Sequence, residues 1–192
     1  RGRATERTGP VTDETKPYHH GDLANALIGA ATALIAESGM EALSMREVAR
    51  RVGVSPGAPF RHFPTRDALI GAVAEQAMAR LAASVDAALA AAGDDPLTAL
   101  EAIGLAYLGW VRENPTQFSV ISQRSRVSLT PRARAGNDAI RDRMAGLLTR
   151  ARAGGQLRPD LQIDDLLLAC RALVYGLARM AIDGHFPEWQ PD

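Results

Sequence analysis

Cysteine occurs once in the 192 residues, at Cys170. A single thiol closes no intrachain disulfide, so nothing in the sequence asks for an oxidising compartment. The default expectation is a cytoplasmic protein. Cys170 then reads as a small core residue on a helix, with a redox-sensitive thiol as the other reading. Aromatic residues are scarce, at 5%. No unbroken apolar run reaches the roughly 18 residues a membrane-spanning helix needs. Residues 1–16 hold no apolar stretch of the kind a secretory signal requires. Net charge is absent too, since 22 basic residues balance 22 acidic ones. That excludes a generally basic coat. Also missing are a Gly-rich phosphate loop, a nucleophile elbow and a metal-ligand cluster. His19 and His20 lack a third partner, and sequence neighbours do not share a helix face. The sequence therefore predicts no catalysis, no cofactor and no metal.

What is present is helix-forming. Hydrophobic residues make up 46% of the chain, and alanine, which loses no side-chain entropy in a helix, is abundant. No strand pattern competes, so the expected fold is all-α. Residues 1–21 are polar, carry Gly9, Pro10, Pro17 and Gly21, and read as a flexible arm. Asp22 is a candidate N-cap for a first helix, whose Leu23, Leu27, Ala30, Leu34 and Ile35 recur at helical spacing and which stops at Gly39. Ser44-Met45-Arg46-Glu47 has the form of a capping box opening a second helix, with Val48, Ala49 and Val52 inward and Gly53 at its end. Ser55 is expected to cap a third helix with Pro56 in its first turn. Thr65 is expected to cap a long fourth helix with a buried stripe from Leu69 through Val73, Ala77, Leu81 and Val85 to Leu89. Four more helices are predicted over about 97–113, 115–124, 131–153 and 163–183.

Two short capped helices about a glycine turn form a helix-turn-helix over about 45–64, within a three-helix unit spanning 22–68. Ala49 is the small residue such a crossing needs, and Gly53 supplies the left-handed turn. This geometry can present the second helix to a DNA major groove. The charge distribution agrees. Arg46, Arg50, Arg51, Arg61 and Arg66 stand against Glu47 alone between Ser44 and Arg66, whereas residues 71–192 hold 13 arginines and 14 acids. An ordinary helical hairpin remains the competing reading of spacing alone.

The stretch Ser44–Leu69, SMREVARRVGVSPGAPFRHFPTRDAL, resembles the DNA-binding domain of the TetR family of bacterial repressors. Phe60-Arg61-His62-Phe63 followed by Thr65-Arg66 carries most of the likeness. Tyr18-His19-His20-Gly21-Asp22-Leu23 and Gly57-Ala58-Pro59 are similar to a branch with a C-terminal Trp-His-Gly signature, where this chain has Val174-Tyr175-Gly176. The resemblance implies that Arg46 touches a phosphate or a base edge. It also implies that Pro56, Gly57, Ala58, Phe60 and Arg61 face the groove, with Ser55 at the start of that helix. His62, Thr65 and Arg66 would clamp phosphates, helped by helix N-terminal amides. Arg61 could read a base or hold a phosphate. Phe60 stands where the family commonly has tyrosine and can offer only packing, for example to a thymine methyl. Pro59 is at odds with a regular helix, because it lacks the N–H that would bond the Ser55 carbonyl and biases Ala58 away from helical angles.

The resemblance further implies that residues 69–192 dimerise and bind a small molecule. The last two long helices would pair with their copies, offering Leu147, Leu148, Leu167, Leu168, Leu173, Val174 and Leu177. Tyr107, Trp110, Phe118, Ile121, Met144, Leu148, Cys170, Tyr175 and Met180 are candidate pocket residues. They suggest a mainly apolar effector with a tyrosine hydroxyl as a polar contact. The function expected is that of a homodimeric repressor of a palindromic DNA site, released by its effector. The alternative is a helical module that binds protein.

Overall fold

The computed structural model describes residues 20–123, 127 and 129–186. Within them the regular structure is helical throughout: α1 (His20–Ser38), α2 (Met45–Val52), a 3-10 helix (Pro59–Arg61), α3 (Arg66–Ala91), α4 (Pro96–Glu113), α5 (Pro115–Ser122), α6 (Pro131–Ala153) and α7 (Ile163–Asp183). The all-α expectation holds. Residues 1–19 of the expected arm, with Tyr18 and His19, lie outside the described residues, whereas His20 and Gly21 open α1.

Three helix starts among the described residues are capped by side chains. Thr65 accepts the Ala68 N–H, Asp95 that of Thr98 and Thr130 that of Ala133, each satisfying an orphan donor of a first turn. Prolines at positions 96, 115 and 131 occupy first turns, where no N–H is needed. Asp22 is not the cap of α1, because the helix already begins at His20. The capping box at Ser44 does not form either: Ser44 makes no side-chain cap, and Glu47 turns instead to Arg50, at 2.8 and 2.5 Å. A charge-assisted pair outcompetes a neutral backbone donor for that carboxylate.

The expected third helix is the main correction. Residues 56–57 form a turn and only Pro59–Arg61 are helical, as a single 3-10 turn. The cause is Pro59. With no N–H there, the Ser55 carbonyl accepts from Ala58 instead, at 3.0 Å, and the tighter pattern continues from Arg61 to Ala58 and from His62 to Pro59. Ser55 thus contributes its carbonyl rather than a side-chain cap, and Ala58 is the residue that precedes the turn. Ala58 keeps helical angles (φ −62°, ψ −41°) against its pre-proline bias. What holds it there is burial, since the Pro59 ring is among the most deeply buried side chains of the chain.

One helix belongs to both halves of the molecule. Near its start α3 buries Leu69, Ile70, Val73 and Ala74; further along it buries Ala77, Met78, Leu81 and Val85. It packs on α1 at one end and on α4, α5 and α6 over the rest. Among the described residues it is the one helix long and apolar enough to cross a membrane. Its apolar residues, however, are the centre of the core, and a helix apolar around most of its circumference is the natural occupant of that place. α7 lies outermost and packs only on α4 and α6 to any extent.

Candidate nucleic-acid interface and interior cavity

The turn between α2 and the 3-10 helix is built by Gly53. Its φ of +77° is a left-handed conformation, and it places the Gly53 N–H on Arg50 O and the Val54 N–H on Ala49 O. Val48 and Ala49 are buried under this turn. The 3-10 helix packs against α2.

Of the five arginines here, three are already engaged. Arg50 is paired with Glu47, and Arg51 holds Glu37 of α1 in a two-bond fork at 2.6 and 2.7 Å. Each pairing pulls its carboxyl below the usual carboxylate range, with the arginine hydrogen bond as the largest cause. Arg66 donates from Nε to Leu43 O at 3.0 Å and from Nη2 to Met40 O, and its Nη1 lies 3.5 Å from Asp67. It therefore ties the first turn of α3 to the loop between α1 and α2. The resemblance implies that Arg66 clamps a phosphate; in the structure its guanidinium donates to two backbone carbonyls, of which Met40 O also accepts the Leu43 N–H. Arg46 and Arg61 form no ion pair or side-chain hydrogen bond among the described residues, and both are exposed.

Around these two cations the surface is apolar or small. Phe60 is 50% exposed, which is unusual for a ring of that size. Ser55, Pro56 and Gly57 are exposed and Ala58 is half-buried. His62 is half-buried beside Phe63, with ring centroids 6.4 Å apart. Thr65 accepts a hydrogen bond at α3, which leaves its hydroxyl proton free to donate.

The second half of the chain forms a half-open cavity of about 750 Å³ between α3, α4, α5, α6 and α7. Tyr107, Phe118, Ile121, Met144 and Cys170 line it as expected. Trp110, Leu148, Tyr175 and Met180 do not line it. Trp110 and Leu148 are buried, so their apolar character serves packing. Sequence reasoning missed the α3 contribution of Met78, Leu81 and Val85, whose periodicity marked them equally well as plain core. It also missed the polar groups Glu101, Asn137, Arg141, Asp164 and Arg171. Arg141 sits 3.0 Å from Asp164 and 3.6 Å from Asp142. Arg171 lies over the rings of Tyr107 and Tyr175, 5.1 and 5.5 Å from their centroids. Burial pushes the Cys170 thiol up, away from the thiolate that redox sensing needs.

Residues 27–73 match the family described as bacterial regulatory proteins, tetR family, and residues 100–192 match the tetracyclin repressor-like C-terminal domain. The chain belongs to the TetR family. HTH-type transcriptional repressor Rv3405c of Mycobacterium tuberculosis is 48% identical over 67 residues, 34% of this chain and 36% of that protein. The chain thus spans about a third of the length of the curated relatives it matches. A protein of unknown function from Rhodococcus sp. RHA1 has the same fold, with a TM-score of 0.76 and 28% identity over 88% of this chain and 87% of its own. The TetR family transcriptional regulator PfmR of Thermus thermophilus follows at a TM-score of 0.65 and 26% identity, covering 80% of this chain and 84% of its own.

Proposed function

We propose that this TetR-family chain is a DNA-binding transcriptional regulator of the cytoplasm. It acts as a homodimeric repressor of a palindromic site and is released by a small, mainly apolar effector. The observation that carries the DNA reading is the sorting of charge on the helix-turn-helix. The arginines that brace the domain are paired, while Arg46 and Arg61 remain exposed and unpaired, and Phe60 next to Arg61 is exposed as well. Phosphate contact by the two arginines, apolar contact by Phe60, and DNA shape then supply recognition. Pro56, Gly57 and Ala58 allow close approach but offer no side-chain hydrogen bond. His62 and Thr65 flank the N-terminus of α3 and complete a phosphate seat, although Asp67 in that first turn weakens it for an anion. We assign Arg66 to bracing that seat.

The cavity supports effector control because α3 reaches both sites. Its first turn is bolted by Arg66 to the α1–α2 loop, and its second half supplies Met78, Leu81 and Val85 to the cavity wall. A ligand that displaces the second half tilts the helix-turn-helix with it. A cleft of about 300 Å³ between the end of α1 and α5 leaves room for that tilt. In a dimer the two reading elements must stand about 34–36 Å apart, one turn of DNA, so a small tilt breaks register. We also propose kinship with the Trp-His-Gly branch, supported here by Gly176 within Val174-Tyr175-Gly176.

The test is binding to duplex DNA selected from a random library. A palindromic consensus and a steep loss of affinity with salt are expected. Arg46→Ala with Arg61→Ala, present in both protomers, should lower the salt slope by about four and leave the fold intact. Arg50→Ala should leave the slope unchanged. Salt-independent binding, or retention by a protein partner without DNA, would favour the helical interaction module instead.

A further inference from the structure

We infer that the effector is an organic acid with an apolar body and a single carboxylate, and that Arg171 receives the carboxylate. This rests on the effector reading above and sharpens it. The cavity is apolar over most of its wall, yet two arginines reach it. Arg141 is neutralised by Asp164 at 3.0 Å. Arg171 has no carboxylate partner among the described residues. Its guanidinium is positioned by two aromatic faces, Tyr107 and Tyr175. Ring faces attract the cation and fix its plane but accept no N–H hydrogen bond in the way an oxygen would, so the edge of the fork stays available.

The wall's own carboxylates are too far along their helices to take that place. Asp164 precedes Arg171 by seven residues of α7, roughly 10 Å of helix rise. α4 runs against α7, since Gly104 adjoins Val174 and Tyr107 adjoins Arg171. Glu101 is therefore displaced from Arg171 by about 9 Å in the other direction. Arg171 is exposed, so it stands at the open edge of the apolar cavity. One planar cation there matches one planar anion, bidentate, with the apolar body of the ligand inside.

Matched pairs test this on the full chain: decanoic acid against decanol, and naphthoic acid against naphthol, by titration calorimetry. Each acid should bind at least about tenfold tighter than its alcohol, a difference of one bidentate charged contact. Arg171→Gln should erase that preference while the alcohols bind as before, and Arg171→Lys should restore part of it. Equal affinity of acid and alcohol, a preference that survives Arg171→Gln, or no binding by either pair overturns the inference. Salt-dependent DNA binding of the ligand-free protein, wild type and Arg171→Gln alike, is measured alongside. Its loss in both would overturn the regulator reading, whereas the calorimetric outcomes bear on the carboxylate alone.

Discussion

A guanidinium in a helix-turn-helix can serve the fold or the ligand, and sequence does not distinguish the two. Arg46, Arg50, Arg51, Arg61 and Arg66 look alike in one dimension. The partners Glu47, Glu37, Met40 O and Leu43 O divide them, and two of those partners are backbone atoms more than twenty residues away. Arg66 makes the distinction measurable. Arg66→Ala removes the donors to Met40 O and Leu43 O. Met40 O keeps the Leu43 N–H at 3.3 Å, while Leu43 O loses the side-chain donor that reached it. One under-satisfied buried carbonyl costs about 1–3 kcal/mol. Thermal unfolding should therefore fall by several degrees, at about 2–4 °C per kcal/mol for a chain of this size. The salt slope of DNA binding should stay unchanged. A slope reduced by about two, one for each protomer, with an unaltered Tm would return Arg66 to the phosphates.

Elements were legible where local chemistry and tertiary packing agreed. Thr65, Gly39, Gly53 and Gly184 stop or start helices as their side chains, or the lack of one, dictate. The expected ends of the four helices predicted over 97–113, 115–124, 131–153 and 163–183 lie within two residues of the observed ones. The failures have a common form. Asp22, Ser44 and Ser55 are good caps by type, but a cap forms only if nothing better competes. A charged neighbour took Glu47 from the Ser44 box, and Pro59 converted a whole helix into one tight turn. The Pro59 ring is buried, so Phe60 and Arg61 are the exposed residues of the single turn that remains. The α3–α6 junction offers a test at this scale. The Thr130 hydroxyl donates to Glu75 of α3 at 2.7 Å while its oxygen caps α6 through Ala133 at 3.1 Å. Thr130→Val keeps the shape and loses both bonds. A loss of about 1–2 kcal/mol is expected, with Thr130→Ser close to wild type. If valine were neutral by denaturant melting, the cap and the tie would be without energetic weight.

At the scale of the whole molecule, the least legible property is which leucines belong to the core and which to a partner. Leu147, Leu148 and Leu167 were candidates for a dimer face, but all three are buried within one chain. Leu168 and Leu173 are different: they are 70% and 64% exposed on α7. On α6 the neighbouring exposed residues Arg141, Asp142 and Arg143 are charged instead. An intramolecular core and an intermolecular one use the same residue types and the same 3.6-residue period, so only packing separates them. Leu168 and Leu173 also edge the cavity. A second chain covering α7 would therefore close the chamber as it dimerises, and effector occupancy would alter the surface that the partner meets. Leu173→Glu should consequently give a monomer by sedimentation with the helical circular dichroism retained, because an exposed position on the single chain tolerates charge. Affinity for a palindromic duplex should drop by a factor of about 10² or more, since each half-site is then held without the effective concentration supplied by the other. Affinity for an isolated half-site should not change. A dimer that persists in Leu173→Glu would place the partner surface off the exposed face of α7.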